Sequence, residues 1–215
     1  MKGISYSAFV YADDLILLSP SVSELQTMVN ICCNELYSIN LKLNTNKSYC
    51  LRVGRRCFST CCDITADGEP ISWVKDAKYL GITIMSGKTF KVSFAEARCK
   101  FYAAFNALYS KIGFVLDINV IIHLMEFIAV PILCYALESL NLSKTELSSL
   151  DFTYNRTLLK IFKVSNSNDL HFCTKMFNIS NICEKYTKKK RNFENKMQNI
   201  DNAMINNLHL NIVCI

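Results

Sequence analysis

Phe9-Val10-Tyr11-Ala12-Asp13-Asp14-Leu15 sets two adjacent carboxylates at the centre of an apolar run. The flanks, Ala8 to Tyr11 before and Leu15-Ile16-Leu17-Leu18 after, have the aromatic and β-branched richness of buried strands. An Asp-Asp pair between two such runs predicts a hairpin with both acids at its tip. Neighbouring carboxylates repel each other and resist desolvation, and a divalent cation is the partner that keeps both ionised. The bland alternative is an acidic turn in water.

Past the hairpin, Ser21-Val22-Ser23-Glu24 has the form of a capping box, with Ser21 placed to accept from first-turn amides and Glu24 to reach back. Leu25, Met28, Val29, Cys32 and Leu36 then recur at three- and four-residue steps, predicting a helix that ends near Ser38 and lays one stripe on a sheet. Leu41-Lys42-Leu43 alternates, Asn44-Thr45-Asn46-Lys47 is turn chemistry, and Tyr49 to Val53 alternates again, so strand, loop and strand are expected. Arg55 and Arg56, with the cysteine-rich stretch behind them, read as a connecting loop. Asp67-Gly68 marks a tight hairpin between Ile64-Thr65 and Pro70-Ile71. Lys78 to Ile84 is a further extended segment.

From Phe90 onward the period changes from two to about 3.6. Phe94, Ala97, Phe101, Ala104, Phe105, Leu108 and Ile112 form one stripe, and Val120 to Leu140 and Leu147 to Phe162 are similarly helical. The expected fold class is α+β: antiparallel strands with a packed helix over residues 1–86, a helical region over 87–164, and a basic tail over 165–215. That tail is rich in Asn and Lys, carries the run Lys188-Lys189-Lys190-Arg191, and shows no convincing period from Ile200 on.

A chain of 215 residues, 51% of them hydrophobic, can bury one good core or two small ones. The formal charge of +6 points to basic surface for a polyanionic partner. The 11 cysteines scatter through apolar segments and include the vicinal pairs Cys32-Cys33 and Cys61-Cys62, with no Cys-x-x-Cys spacing. They read as reduced thiols in an intracellular protein of the cytoplasm or nucleus. Cys50, Cys57, Cys61 and Cys62 match no zinc template, and His171 with Cys173 fares no better. Met1-Lys2-Gly3 leads straight into strand-like sequence, so no targeting segment is expected. The uninterrupted apolar run Phe127 to Leu137 is well short of the ~20 residues a bilayer needs, and no membrane partner is expected.

Tyr11-Ala12-Asp13-Asp14 followed by Leu15-Ile16-Leu17-Leu18 resembles the catalytic hairpin of reverse transcriptases, and Ser19-Pro20-Ser21 resembles the LINE-type, non-LTR retrotransposon enzymes. Later landmarks fall in the family's order. Leu41 to Ser48 resembles its fourth palm motif, Tyr79-Leu80-Gly81 its primer-grip hairpin, and Pro131 to Glu138 its Pro-x-Leu-x-Tyr-Gly-x-Glu pattern, with Ala136 in place of glycine. The resemblance spans approximately Gly3 to Val164. It implies a partial polymerase palm followed by an all-helical thumb-like region, with two-metal nucleotidyl transfer on an RNA template, a DNA primer and dNTPs.

On this resemblance Asp13 is the stronger and Asp14 the weaker ligand of Mg²⁺, with Mn²⁺ as an alternative. Lys47 is the cation beside the nucleotide's pyrophosphate. Tyr11, Tyr79, Leu80 and Gly81 are expected to touch nucleic acid, and Lys88, Lys91 and Arg98, with Lys100 and Lys111, to bind backbone phosphates. The family draws its remaining metal ligand from an aspartate upstream of the hairpin. None of the twelve residues before Asp13 is acidic. The expectation is therefore the C-terminal half of such an enzyme, inactive unless the missing half is supplied, or a non-catalytic remnant that binds nucleic acid. A metal-dependent phosphohydrolase is the weakest class, since no histidine or third acid is close by.

Overall fold

The hairpin forms where the two apolar runs meet. In the computed structural model, which describes residues 7–112 and 117–200, β1 (Ala8–Tyr11) pairs antiparallel with β2 (Asp14–Leu17). The register is Ala8↔Leu17, Phe9↔Ile16, Val10↔Leu15 and Tyr11↔Asp14, leaving Ala12 and Asp13 as a two-residue turn. Ala12 sits in the left-handed region at φ 53°, in keeping with the positive φ that tight hairpin turns demand. Burial of these strands is not realised. Val10 is 72% exposed and Tyr11 64%, because only Leu17, at the base of the hairpin, packs on a core. Apolar alternation reports a strand, and burial additionally requires something to cover it.

Two compact units divide the chain between Ser93 and Phe94, and the fold class is α+β. In the first unit, α1 (Val22–Ser38) starts at Ser21, whose hydroxyl accepts from the Glu24 amide at 3.2 Å. Glu24 does not close the box onto Ser21; its carboxylate takes the Ser19 hydroxyl instead. The helix ends in a Schellman-type exit, with Asn40 at φ 57° and Leu41 N–H bonded to Leu36 C=O at 2.8 Å. That exit occupies Leu41, so the expected Leu41-Lys42-Leu43 strand does not form.

β3 (Tyr49–Cys50), β4 (Ile64–Ala66) and β5 (Glu69–Trp73) make a sheet in the order β3-β5-β4, with β3 parallel to β5. Asp67-Gly68, at φ 53° and 83°, forms the expected tight turn between β4 and β5. Val29, Cys50, Ile64, Ala66 and Ile71 are the buried core under α1. The expected continuous segment from Lys78 to Ile84 is two strands, β6 (Asp76–Tyr79) and β7 (Ile82–Met85), folded at Leu80-Gly81. β8 (Lys91–Ser93) adds to β7 with Val92 opposite Ile84, so the helical period begins after Ser93 and not at Phe90.

In the second unit, α2 (Ala95–Ile112) buries Phe101, Phe105 and Tyr109, close to the predicted stripe. The apolar run after it is α3 (Ile118–Leu124), a π-helical turn over Met125–Ala129, and α4 (Val130–Leu133). Pro131 donates no backbone bond and crowds the carbonyl four residues earlier, and the ladder widens there, with Val130 N–H reaching Met125 C=O. α5 (Lys144–Phe162) starts with a full capping box of Ser143 and Glu146. The expected tail is corrected over 165–200: α6 (Ser167–Met176) and α7 (Ile182–Gln198) bury Leu170, Ile182 and Tyr186 in the same core. Met1-Lys2-Gly3 and residues 201–215, read above as strand-leading and as lacking a period, lie outside the described residues. Among the described residues no helix is long and apolar enough to cross a membrane.

Candidate catalytic hairpin and nucleic-acid contacts

Asp13 occupies the second turn position, and Asp14 is the first residue of β2, directly opposite Tyr11. The tip thus carries one acid and the strand the other, a refinement of the reading that put both at the tip. Both residues are exposed. Their carboxylate oxygens are hard donors of the kind Mg²⁺ and Mn²⁺ prefer, and Mg²⁺ characteristically takes one or two protein carboxylates and fills its octahedron with water and substrate phosphate. The pair fits part of such a site. Among the described residues no three His, Cys, Asp or Glu side chains come together in metal-binding geometry.

Lys47 closes a 3₁₀ turn over Thr45–Lys47, its N–H shared between the carbonyl and side-chain oxygen of Asn44 at 3.1 and 3.3 Å. The Asn-rich turn is therefore a capped single turn that leaves the Lys47 side chain exposed. Tyr79 ends β6 and is half-buried. Leu80 and Gly81 form the β6–β7 turn with φ 45° and 80°, so the turn alone requires a residue such as Gly81 that accepts positive φ. Leu80, a poor residue for that conformation, is held there 39% exposed.

Lys88 lies in the β7–β8 connection and Lys91 opens β8, both exposed and both in the first unit, not the helical one. Arg98 lies on α2, half-buried, and its Nη1 donates to Ser149 Oγ at 2.8 Å. That bond ties α2 to α5 and uses one of the guanidinium's five N–H donors. Lys100 pairs with Glu96 at 2.8 Å. In the basic run, Lys189 donates to Cys134 C=O at 3.1 Å and Lys190 to Leu140 C=O at 3.2 Å, so half of it holds α7 on its own unit. Lys188, Lys189 and Arg191 are exposed.

The sequence reading missed a polar cluster in the second unit. Tyr154 donates its hydroxyl to Glu126 Oε1, and Lys185 Nζ lies 2.8 Å from Glu126 Oε2. Burial first, and the Glu126 charge second, push the Tyr154 hydroxyl far above the ordinary phenol range. The available signal was Glu126 inside an otherwise apolar run, beside Pro131. No family model matches the chain, and no curated protein or solved structure matches it.

Proposed function

We propose that this chain carries the catalytic hairpin of an RNA-directed DNA polymerase of the non-LTR retrotransposon kind, with a partial palm in the first unit and a thumb-like second unit. The observation that carries the reading is a tight hairpin with Asp13 in its two-residue turn and Asp14 at the first position of β2, both exposed. Asp13 and Asp14 would hold Mg²⁺, which would acidify a primer hydroxyl and neutralise triphosphate charge. Two carboxylates are one short of the family's set, so the third comes from a polypeptide segment other than the described residues, and the hairpin by itself extends no primer. Its partners in the complete enzyme are template RNA, DNA primer and dNTP.

Primer extension tests this directly, with purified chain, Mg²⁺, a primed RNA template and dNTPs. The expected result is no incorporation alone, incorporation on adding a separately expressed palm segment with its own aspartate, and none with Asp13→Ala. Failure of the complemented mixture, across salt and metal conditions in which both pieces are folded, overturns the catalytic reading.

A second reading is a nucleic-acid-binding protein without catalysis. From Leu36 to Cys62 the sequence holds Lys42, Lys47, Arg52, Arg55 and Arg56 and no acid, which favours it. Salt-dependent binding that survives Asp13→Asn and magnesium removal supports this reading.

A further inference from the structure

Arg52 is turned back against its own unit. Its guanidinium lies 4.9 Å from the Trp73 ring centre, and Nη1 donates to the carbonyls of Arg56 at 3.0 Å and Ser59 at 2.8 Å. Three further bonds fasten the same loop. Gly54 N–H donates to Gly87 C=O at 2.8 Å, Ser86 Oγ donates to Arg52 C=O at 2.7 Å, and Cys57 N–H donates to Gly54 C=O at 3.1 Å. A surface loop held by one buried-side arginine and this many backbone contacts is pre-organised, which lowers the ordering cost of anything that binds it.

What the loop displays differs from what holds it. Arg55 and Arg56 are exposed at its crest, and Phe58 beside them is 81% exposed. The Val53↔Gly87 bridge brings exposed Lys88 alongside. The acids nearest in sequence on either side, Glu35 and Asp63, lie outside the loop. An aromatic ring left in water among guanidinium groups suits a ligand with π faces and regularly spaced negative charge. Single-stranded RNA has both: unpaired bases stack on the ring and phosphates pair with the arginines. A paired helix keeps its bases stacked, and an acidic peptide offers charge without a π face.

We propose that the Gly54–Thr60 loop is a second nucleic-acid contact of this protein, one that grips unpaired RNA through Arg55, Arg56 and Phe58. It rests on the nucleic-acid reading above and is independent of the catalytic one.

The test uses the full chain, a fluorescein-labelled oligouridine, and heparin as a polyanion without bases. Arg55→Ala with Arg56→Ala should weaken both ligands and lower the salt slope of RNA binding by about 1.4. Phe58→Ala should weaken RNA about fivefold or more and leave heparin unchanged. Trp73 fluorescence, unchanged in each variant, confirms folding of the loop's platform. Undiminished RNA affinity in either loop variant, or an equal loss on heparin for Phe58→Ala, overturns the proposal.

Discussion

Gln26 pairs with Thr65 as a neighbouring strand would: its Nε2 donates to the Thr65 carbonyl at 2.7 Å and its Oε1 accepts the Thr65 N–H at 2.8 Å. β4 is an edge of its sheet, and one side-chain amide both covers that edge and fastens α1 to it. Gln26→Leu leaves two half-buried backbone groups without partners and should cost about 2 kcal/mol. Trp73, the single tryptophan, lies on the adjacent β5 and reports this unit alone. In urea its fluorescence midpoint should fall with the slope unchanged; an unmoved midpoint removes the amide from the account.

Much of this was legible from local chemistry. Ser21, Asp67-Gly68 and the Phe101–Phe105 stripe specify their own cap, turn and helix face, and each formed as read. Where readings failed, a neighbour in space decided. The stretch beyond Val164 reads as an Asn- and Lys-rich tail, yet the side chains of Asn166 and Asn181 accept from the Asp169 and Glu184 amides and start α6 and α7. Arg98 and Lys190 looked like surface charge, and partners about fifty residues away took them. At the hairpin the pattern showed strands and gave no information on what covers Val10.

Of the non-glycine residues that stand in left-handed backbone, Ala136 and Leu80 offer a direct test. Ala136, at φ 55°, occupies the position where the resembling pattern has glycine, and Leu80, at φ 45°, precedes Gly81 in a turn that favours Asn-Gly. Ala136→Gly should raise stability by about 0.5–1 kcal/mol, read as a later loss of helical circular dichroism on heating. Leu80→Asn should stabilise the β6–β7 hairpin by a similar amount. If Leu80 is retained for contact with a primer, the same change weakens primer binding, so stability and affinity move in opposite directions. A destabilised Ala136→Gly chain contradicts the backbone assignment.

Cys50 is buried in the first core, and burial, then the charge of nearby Cys61, pushes its thiol up to about 11. A folded value above the unfolded one means that the unfolded chain loses its proton first as pH rises. The contribution is whole below the ordinary thiol range near ~8.5 and is lost progressively up to about 11. Unfolding free energies from urea titrations followed by Trp73 fluorescence should therefore fall across that window by about 3 kcal/mol more in the parent than in Cys50→Ala. Parallel pH profiles for the two proteins would show that Cys50 does not titrate as a buried thiol.

Asp13 and Asp14 repel each other and have no third carboxylate beside them among the described residues. A cation that bridges them gains from both charges, yet it keeps most of its water because the protein offers so few oxygens. The isolated chain should bind Mn²⁺ with a dissociation constant of about a millimolar or weaker, displaced by Mg²⁺ and measured by water-proton relaxation. Asp13→Asn removes a full charge from the turn and should abolish the signal. Asp14→Asn leaves the turn acid in place and should weaken it less. Micromolar affinity would mean that further ligands complete the site within this chain, and binding indifferent to Asp13→Asn would place the cation elsewhere.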